Sequence, residues 1–448
     1  VTAVTSLPLA PGALPLLGHA VPLVRRPLDF VSSLPTHGGL VRIRMGTRSV
    51  VMVCDPALTR QVLLNDSIFD KGGPLFERGR EVAGNGLLSC PHDMHRRQRR
   101  LCQPAFHADR FPGYNVAFAD LAEDLAKSWQ DRQVVDVTEA LTRLTAVVAV
   151  ETMFARTLPA QVASQILDDF ITLSEGIFRR AVSPGVLNRL PLPANRRYRR
   201  ALDRLKSTVF DIITARRAAT TDHGDLLSSL ANAVDPDSKG GRYSLSDEEL
   251  VNQVIIFLYA GSDTTAAAVS WSLHLLAQRT DLDILLYEEA RKALRDTPLV
   301  LVDPTALEMT NRVLLESLRM YPPAWMTTRT VASDTELGGV VLPAGTTVGY
   351  SPYLIHRLPE LYKEPDTFEP DRWLSPPADR SAYIPFGAGA RKCIGDRFGM
   401  AQAALILTAI ISRWRLIPAH TRPVRAAAKV TLMPKGLHMR VLARERPY

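Results

Sequence analysis

Four groups of residues have the types and spacing of a chemical centre. The first is the run Pro385-Phe386-Gly387-Ala388-Gly389-Ala390-Arg391-Lys392-Cys393-Ile394-Gly395, directly before a stretch of helical periodicity. Three glycines let the backbone fold closely around one sulfur, so that amide N–H groups and the following helix N-terminus can stabilise a thiolate. A lone cysteine so placed becomes a metal ligand; the alternative is a buried thiol in a turn. The second group, Ala260-Gly261-Ser262-Asp263-Thr264-Thr265, sets an acid beside an alcohol in an otherwise apolar stretch. A helical Thr commonly bonds back to the carbonyl three or four residues earlier and bends the helix. Beside Gly261 that same bond opens a groove wide enough for dioxygen and a water. The third group is Glu316 with Arg319, opposite charges on one helix face, an arrangement that is most often a solvated pair of little energetic value. The fourth is His95-Arg96-Arg97-Gln98-Arg99-Arg100. On a helix, His95 and Arg99 share a face that suits two carboxylates, the alternatives being a solvated face or a partner-docking patch.

The elements that position these groups can be read in outline. Residues 1 to about 25 form a Pro-rich arm, with Pro8, Pro11, Pro15 and Pro22, expected to be extended. Val41–Met45 and Val50–Val53 read as two strands joined at Gly46. From about Pro56 to Ile213 the pattern is helical, broken by Gly- and Pro-rich loops at Asp70–Pro91 and Ser183–Asn195. Loops of that length often act as lids. Ala218–Tyr243 is polar and reads as a flexible surface connection. Ser246 then caps a helix, with Glu249 completing a capping box, and the sequence stays apolar or small on all sides to Arg279. Such a helix must run through the middle of the protein. Leu337–Tyr350 reads as a hairpin, Phe398–Trp414 as a helix, and Ala426–Val441 as strands.

The Cys393 run resembles the haem-binding loop of the cytochrome P450 superfamily, F-x-x-G-x-R-x-C-x-G, with all five fixed residues present. Chance would give such a match at about one start in a few million, taking each residue as about one in twenty. The other groups occur in the family's order along essentially the whole chain. The resemblance implies a mainly α fold with small β-sheets, a triangular helix-rich single domain over 1–448, with haem b between the long central helix and the helix after the Cys loop. It makes Cys393 the iron ligand and assigns Phe386, Gly389, Arg391 and Gly395 to the cofactor loop. His95, Arg99, Arg329 and Arg391 are implied to meet the haem propionates. Asp263 and Thr264 become the acid–alcohol pair that delivers protons. Glu316, Arg319 and Arg372, the last from Phe368-Glu369-Pro370-Asp371-Arg372-Trp373, become a structural network. One departure is that the Trp common at the start of the basic segment is missing, with His95 in its place. Arg96, Arg97 and Arg100 are then left to face an acidic partner.

The implied activity is a monooxygenase that inserts one oxygen from O2 into a C–H bond or C=C of an apolar molecule. Phe257, Leu258, Ala260, Gly261, Trp325, Met326 and Leu437 are the implied substrate wall, apolar throughout. The stretches Arg189–Arg196 and Tyr350–Tyr353 resemble bacterial members of the family that oxidise sesquiterpenes, which points to terpenoid secondary metabolism; fatty-acid and macrolide oxidation are the alternatives. A haem-thiolate sensor is disfavoured by the Asp263–Thr264 pair, and a peroxygenase or isomerase would dispense with redox partners. No flavin or Fe–S motif fits, so electrons are expected from a ferredoxin and its reductase. Hydrophobic residues make up 46% and charged residues 22%, the balance of an ordered globular chain rather than a disordered one. A net charge of +8 without basic runs interleaved with aromatics gives no support for nucleic-acid binding. Cys54, Cys90, Cys102 and Cys393 form neither a disulfide framework nor a zinc pattern. The first 24 residues carry no charge, yet their prolines disfavour a membrane span and no basic n-region marks a secretory signal. A cytoplasmic monomer is expected.

Overall fold

Ser246 begins the element on which the rest is hung. Its hydroxyl accepts from the Glu249 N–H at 3.2 Å while the Glu249 carboxylate accepts from the Ser246 N–H at 2.9 Å, closing the expected capping box. The helix that follows, Asp247–Leu276, is 30 residues long. By length and hydropathy it could cross a membrane, but 72% of its most apolar window is buried inside the protein. It is the core helix that its sequence, apolar on every side, demands. The computed structural model describes residues 2–444 apart from 47, 156, 184, 220–222, 236, 238–242, 376–378 and 380.

Helices Val137–Phe154, Pro193–Ala219, Glu308–Met320 and Asp396–Ile411 pack against the long helix, and Phe111–Ser128 packs against two of these. Together they form the larger hydrophobic cluster. A second, smaller cluster lies under a five-stranded sheet ordered Leu40–Met45, Arg48–Val53, Thr347–Tyr350, Thr327–Val331, Phe69–Lys71. The first pair is the expected hairpin, in register from Leu40 opposite Val53 to Met45 opposite Arg48. The antiparallel pair Arg425–Ala428 and Leu432–Lys435 bridges the two clusters, with Leu432 in the smaller one and Val430 and Met433 against the larger.

Several expectations are corrected. The N-terminal arm is not wholly extended: Ala20–Arg25 is helical, with Pro22 inside the first turn, where its missing N–H costs nothing. Buried His19 fastens the arm, accepting at Nδ1 from the Arg44 N–H (2.8 Å) with Nε2 2.8 Å from the Ala10 carbonyl. The loop at 70–91 contains the helix Pro74–Ala83 and lies against the long helix, since any side chain at Gly84 or Gly86 would meet Asn252. Within the polar connection, Leu226–Ala231 is a buried helix held by the Arg216–Asp225 ion pair at 2.6 Å; residues 236 and 238–241 of its most polar part lie outside the described residues. Leu337–Tyr350 divides. Thr335–Leu337 pairs with Val340–Leu342 around Gly338 and Gly339, both at positive φ, whereas Thr347–Tyr350 leaves to run parallel with Arg48–Val53.

Candidate active site

The Cys loop is closed by its own backbone. The Cys393 N–H donates to the Phe386 carbonyl at 2.9 Å, and Gly387 and Gly389 turn at φ 69° and 68°. A β-carbon on Gly389 would stand 2.5 Å from the Leu63 carbonyl oxygen, so glycine is required there on both counts. Burial pushes the Cys393 thiol up; against it act the Gly395 N–H donated to the sulfur and the nearby charges of Arg99 and Lys392. The Cys393 residue is nonetheless accessible, unlike the buried Cys54, Cys90 and Cys102. Helix Asp396–Ile411 leaves from Gly395, and its Gly399 passes the long helix at Thr265.

On the long helix, Thr265 beside Gly399 directly follows the acid–alcohol pair. Ala260 is exposed and nothing lies within 4 Å of where a β-carbon on Gly261 would stand. The Thr264 hydroxyl donates to the Ala260 carbonyl at 2.7 Å, the back-bond that loosens a helix turn. Asp263 is pushed up to about 6 by burial, opposed by the charge of Lys429. Of the expected substrate wall, Ala260, Gly261 and Met326 are accessible, whereas Leu258, Trp325 and Leu437 are buried in packing. The Trp325 indole is turned to the Lys429 carbonyl at 2.9 Å. Phe257 is buried edge-on against Phe106, with ring centroids 5.1 Å apart.

Behind the loop, Glu316 and Arg319 are fully buried and joined by two bonds of 2.8 and 2.9 Å, with Arg372 at 3.5 Å from the same carboxylate. Trp373 Nε1 (2.9 Å) and the Glu369 N–H (3.1 Å) complete the acceptor's shell. His356, which sequence reading missed, ties this network to the loop. Its Nδ1 meets the Arg319 carbonyl at 3.1 Å, and its Nε2 accepts from the Ile384 N–H at 2.9 Å. Burial pushes this imidazole down to about 3, so it is neutral with its proton on Nδ1.

The basic segment lies on the helix His92–Cys102, with His95 buried and Arg99 partly so. Arg99 donates to the Lys392 carbonyl at 2.6 Å and so reaches the Cys loop. Arg97 and Arg100, expected to face a partner, are instead paired with Glu249 (2.7 Å) and Asp235 (2.7 Å); Arg96 remains exposed. Sequence spacing could not foresee this, because both acids come from about 140 residues downstream. A cytochrome P450 family model matches residues 8–441.

The chain belongs to the cytochrome P450 family. It is 43% identical to pentalenene oxygenase of Streptomyces avermitilis over 439 residues, 97% of each chain. It is 42% identical to cyclooctat-9-en-7-ol 5-monooxygenase of Streptomyces melanosporofaciens, over 91% of this chain and 89% of that one. The haem domain of cytochrome P450DA has the same fold, with a TM-score of 0.85, 25% identity and 98% of both chains covered. The chain is a cytochrome P450 monooxygenase, and haem is the family's cofactor.

The residues present fit that group. Lys71 stands opposite Arg329 on paired strands, two like charges that destabilise each other. Arg329 is 2% exposed, and among the described residues its Nε and Nη1 meet no acceptor. Burial, then the charges of Arg329 and Arg391, push the Lys71 ammonium well down. Burial, then Arg391 and Arg99, push His95 down to about 3. The buried Arg329 guanidinium with Lys71 beside it suits an anion, which the two propionates of haem would supply, while neutral His95 offers a ring N–H. Arg391 departs from expectation, since its guanidinium is held by Asp66 (3.3 Å), Asp70 (2.8 Å) and the Cys90 carbonyl (2.9 Å). Lys71, Asp66 and Asp70 carried no signal in the sequence, because only strand pairing and loop closure bring them to the site.

Proposed function

We propose that this P450 is a cytoplasmic monomer that oxygenates a terpenoid in secondary metabolism, with electrons from a ferredoxin and its reductase. One observation carries the site reading: the Cys393 sulfur receives the Gly395 N–H and is left accessible, directly ahead of the helix whose Gly399 packs on the long helix at Thr265, next to Thr264. The terpenoid reading is supported by the relatives named for pentalenene and cyclooctat-9-en-7-ol, which match over nearly the full chain. Cys393 would ligate the iron, while Arg329, Lys71, His95 and Arg99 would hold the propionates. When bound, haem supplies oxygen activation and C–H oxidation.

The remaining work falls to side chains. The Thr264 hydroxyl, having donated to Ala260, keeps its lone pairs for a water donor. Asp263, pushed up to about 6, can exchange a proton near neutral pH. Glu316, Arg319 and Arg372 keep the loop's support rigid. A ferredoxin, being acidic, would meet the exposed Arg96 and Arg397 rather than Arg97 or Arg100, which are already paired. The test is product formation from a panel of terpenes, fatty acids and macrolides with a surrogate ferredoxin, reductase and NADPH. Turnover confined to terpenoids is the expected result. Turnover confined to another class, or a reduced carbon-monoxide adduct without a thiolate-type red shift, overturns the reading.

A further inference from the structure

The basic run has one uncharged member, Gln98, and the long helix, apolar or small on nearly every side, carries Gln253. Both are fully buried. An amide in an apolar core costs free energy unless its polar ends are paired, and these two are paired with each other and with one short piece of chain. Gln253 Nε2 donates to Gln98 Oε1 (3.0 Å), Gln98 Nε2 donates to the Asn85 carbonyl (2.8 Å), and Gln253 Oε1 accepts from the Leu87 N–H (3.0 Å). The long helix, the helix His92–Cys102 and the chain at 85–87 are thereby closed into one ring of hydrogen bonds. The ring is tight. A β-carbon on Gly86 would stand 2.5 Å from Ile256 Cδ1 and 3.1 Å from the Asn252 carbonyl oxygen. Arg97 joins Glu249, one turn before Gln253, so the helix His92–Cys102 is held to two successive turns of the long helix.

Two routes lead from this ring to the Cys loop. On the first, the Cys90 N–H donates to the Gly86 carbonyl (2.8 Å), and the Cys90 carbonyl accepts from Arg391 Nη1 (2.9 Å). On the second, Gln98 adjoins Arg99, which donates to the Lys392 carbonyl (2.6 Å). Arg391 and Lys392 are the two residues directly ahead of Cys393. In the other direction, Gln253 lies ten residues before Asp263, about 15 Å along the same helix.

We propose that Gln98 and Gln253 are positioning residues that fix the Cys393 loop against the long helix, so that haem retention and the survival of its thiolate bond depend on the hydrogen bond between them. The inference rests on the reading of Cys393 as the iron ligand. Each glutamine acts through another residue, Gln253 through Leu87 and Cys90 on Arg391, and Gln98 through Arg99 on Lys392.

The experiment is a double-mutant cycle on the haem-loaded enzyme with Gln98→Met, Gln253→Met and the double variant, since Met has a similar volume and none of the hydrogen bonds. The readouts are haem transfer to apomyoglobin and the lifetime of the thiolate-type spectrum of the reduced carbon-monoxide adduct. Ser246→Ala, which loosens the long helix at its cap, is the control for a purely structural loss. Each Met variant should transfer haem about tenfold faster than wild type and shorten that lifetime in proportion, while the control stays within about twofold. The double variant should again be about tenfold faster, because a ring already open cannot be opened twice. Met variants that match the control, or a double variant equal to the product of the singles, overturn the proposal. Gln98→Glu decides the question if the Met variants do not fold. Its neutral carboxyl can accept from Gln253 and donate to Asn85 as the amide does, and its ionised form cannot donate. Its haem-transfer rate relative to wild type should be about one at pH 6 and rise about tenfold by pH 8.5; the same ratio at both overturns the proposal. A wild-type adduct that never shows the thiolate-type shift overturns the ligand reading itself.

Discussion

At the scale of single residues, the site is a set of charges and donors whose arrangement makes sense only in company. Arg329 and Lys71 oppose each other across a strand pair, and two of the Arg329 guanidinium nitrogens have no acceptor among the described residues. Arg329→Met should therefore act in opposite directions on the two forms of the protein. Haem-free protein should melt about 2 °C higher, as one of two repelling charges is gone. The haem-loaded form should lose its cofactor about tenfold faster, measured by transfer to apomyoglobin. Equal effects on both forms would count against the propionate assignment. Asp263, pushed up to about 6 by burial against Lys429, gives a kinetic prediction. Coupling of oxygen consumption to product should bend near pH 6 in wild type, and Asp263→Asn should lose that bend. Cys393, Asp263 and Thr264 were legible because their neighbours in sequence are their neighbours in space. Lys71 and His356 were not, since each reaches the site through a strand register or a turn that no local spacing encodes.

Elements were legible in proportion to how local their causes are. The long helix was read from Ser246 onward because a capping box and an apolar surface are properties of one segment. Ser246→Ala should cost about 1 kcal/mol of unfolding free energy, measured by denaturant titration. The sheet order escaped, because the pairing of Arg48–Val53 with Thr347–Tyr350 joins segments about 300 residues apart. The helix Leu226–Ala231 escaped for another reason. Its burial comes from Arg216 pairing with Asp225, and that pair makes a polar stretch suitable for the interior.

For the whole molecule, acid stability should follow the imidazoles that folding keeps neutral. His356 is pushed down to about 3 in the fold against about 6.5 in an unfolded chain. With the folded value depressed, the unfolded state binds more protons below pH 6.5, so this contribution is complete above 6.5 and declines as pH falls toward 3. The slope approaches about 1.4 kcal/mol per pH unit. His356→Gln should flatten the pH dependence of urea midpoints between pH 6 and 4. The division of the core into two hydrophobic clusters could not be read from composition, which is that of any globular chain. Nor could the reassignment of Arg97 and Arg100 from an outer docking face to inner ion pairs.

The His356 ring is a hinge pin with a chemical state. It accepts the Ile384 N–H on one nitrogen and meets the Arg319 carbonyl with the other. A second proton would set two hydrogens against each other where one bond had been, unhooking the segment just ahead of Pro385 while the helices stayed packed. Acidification should thus slacken the sulfur's seat first and melt the protein only later.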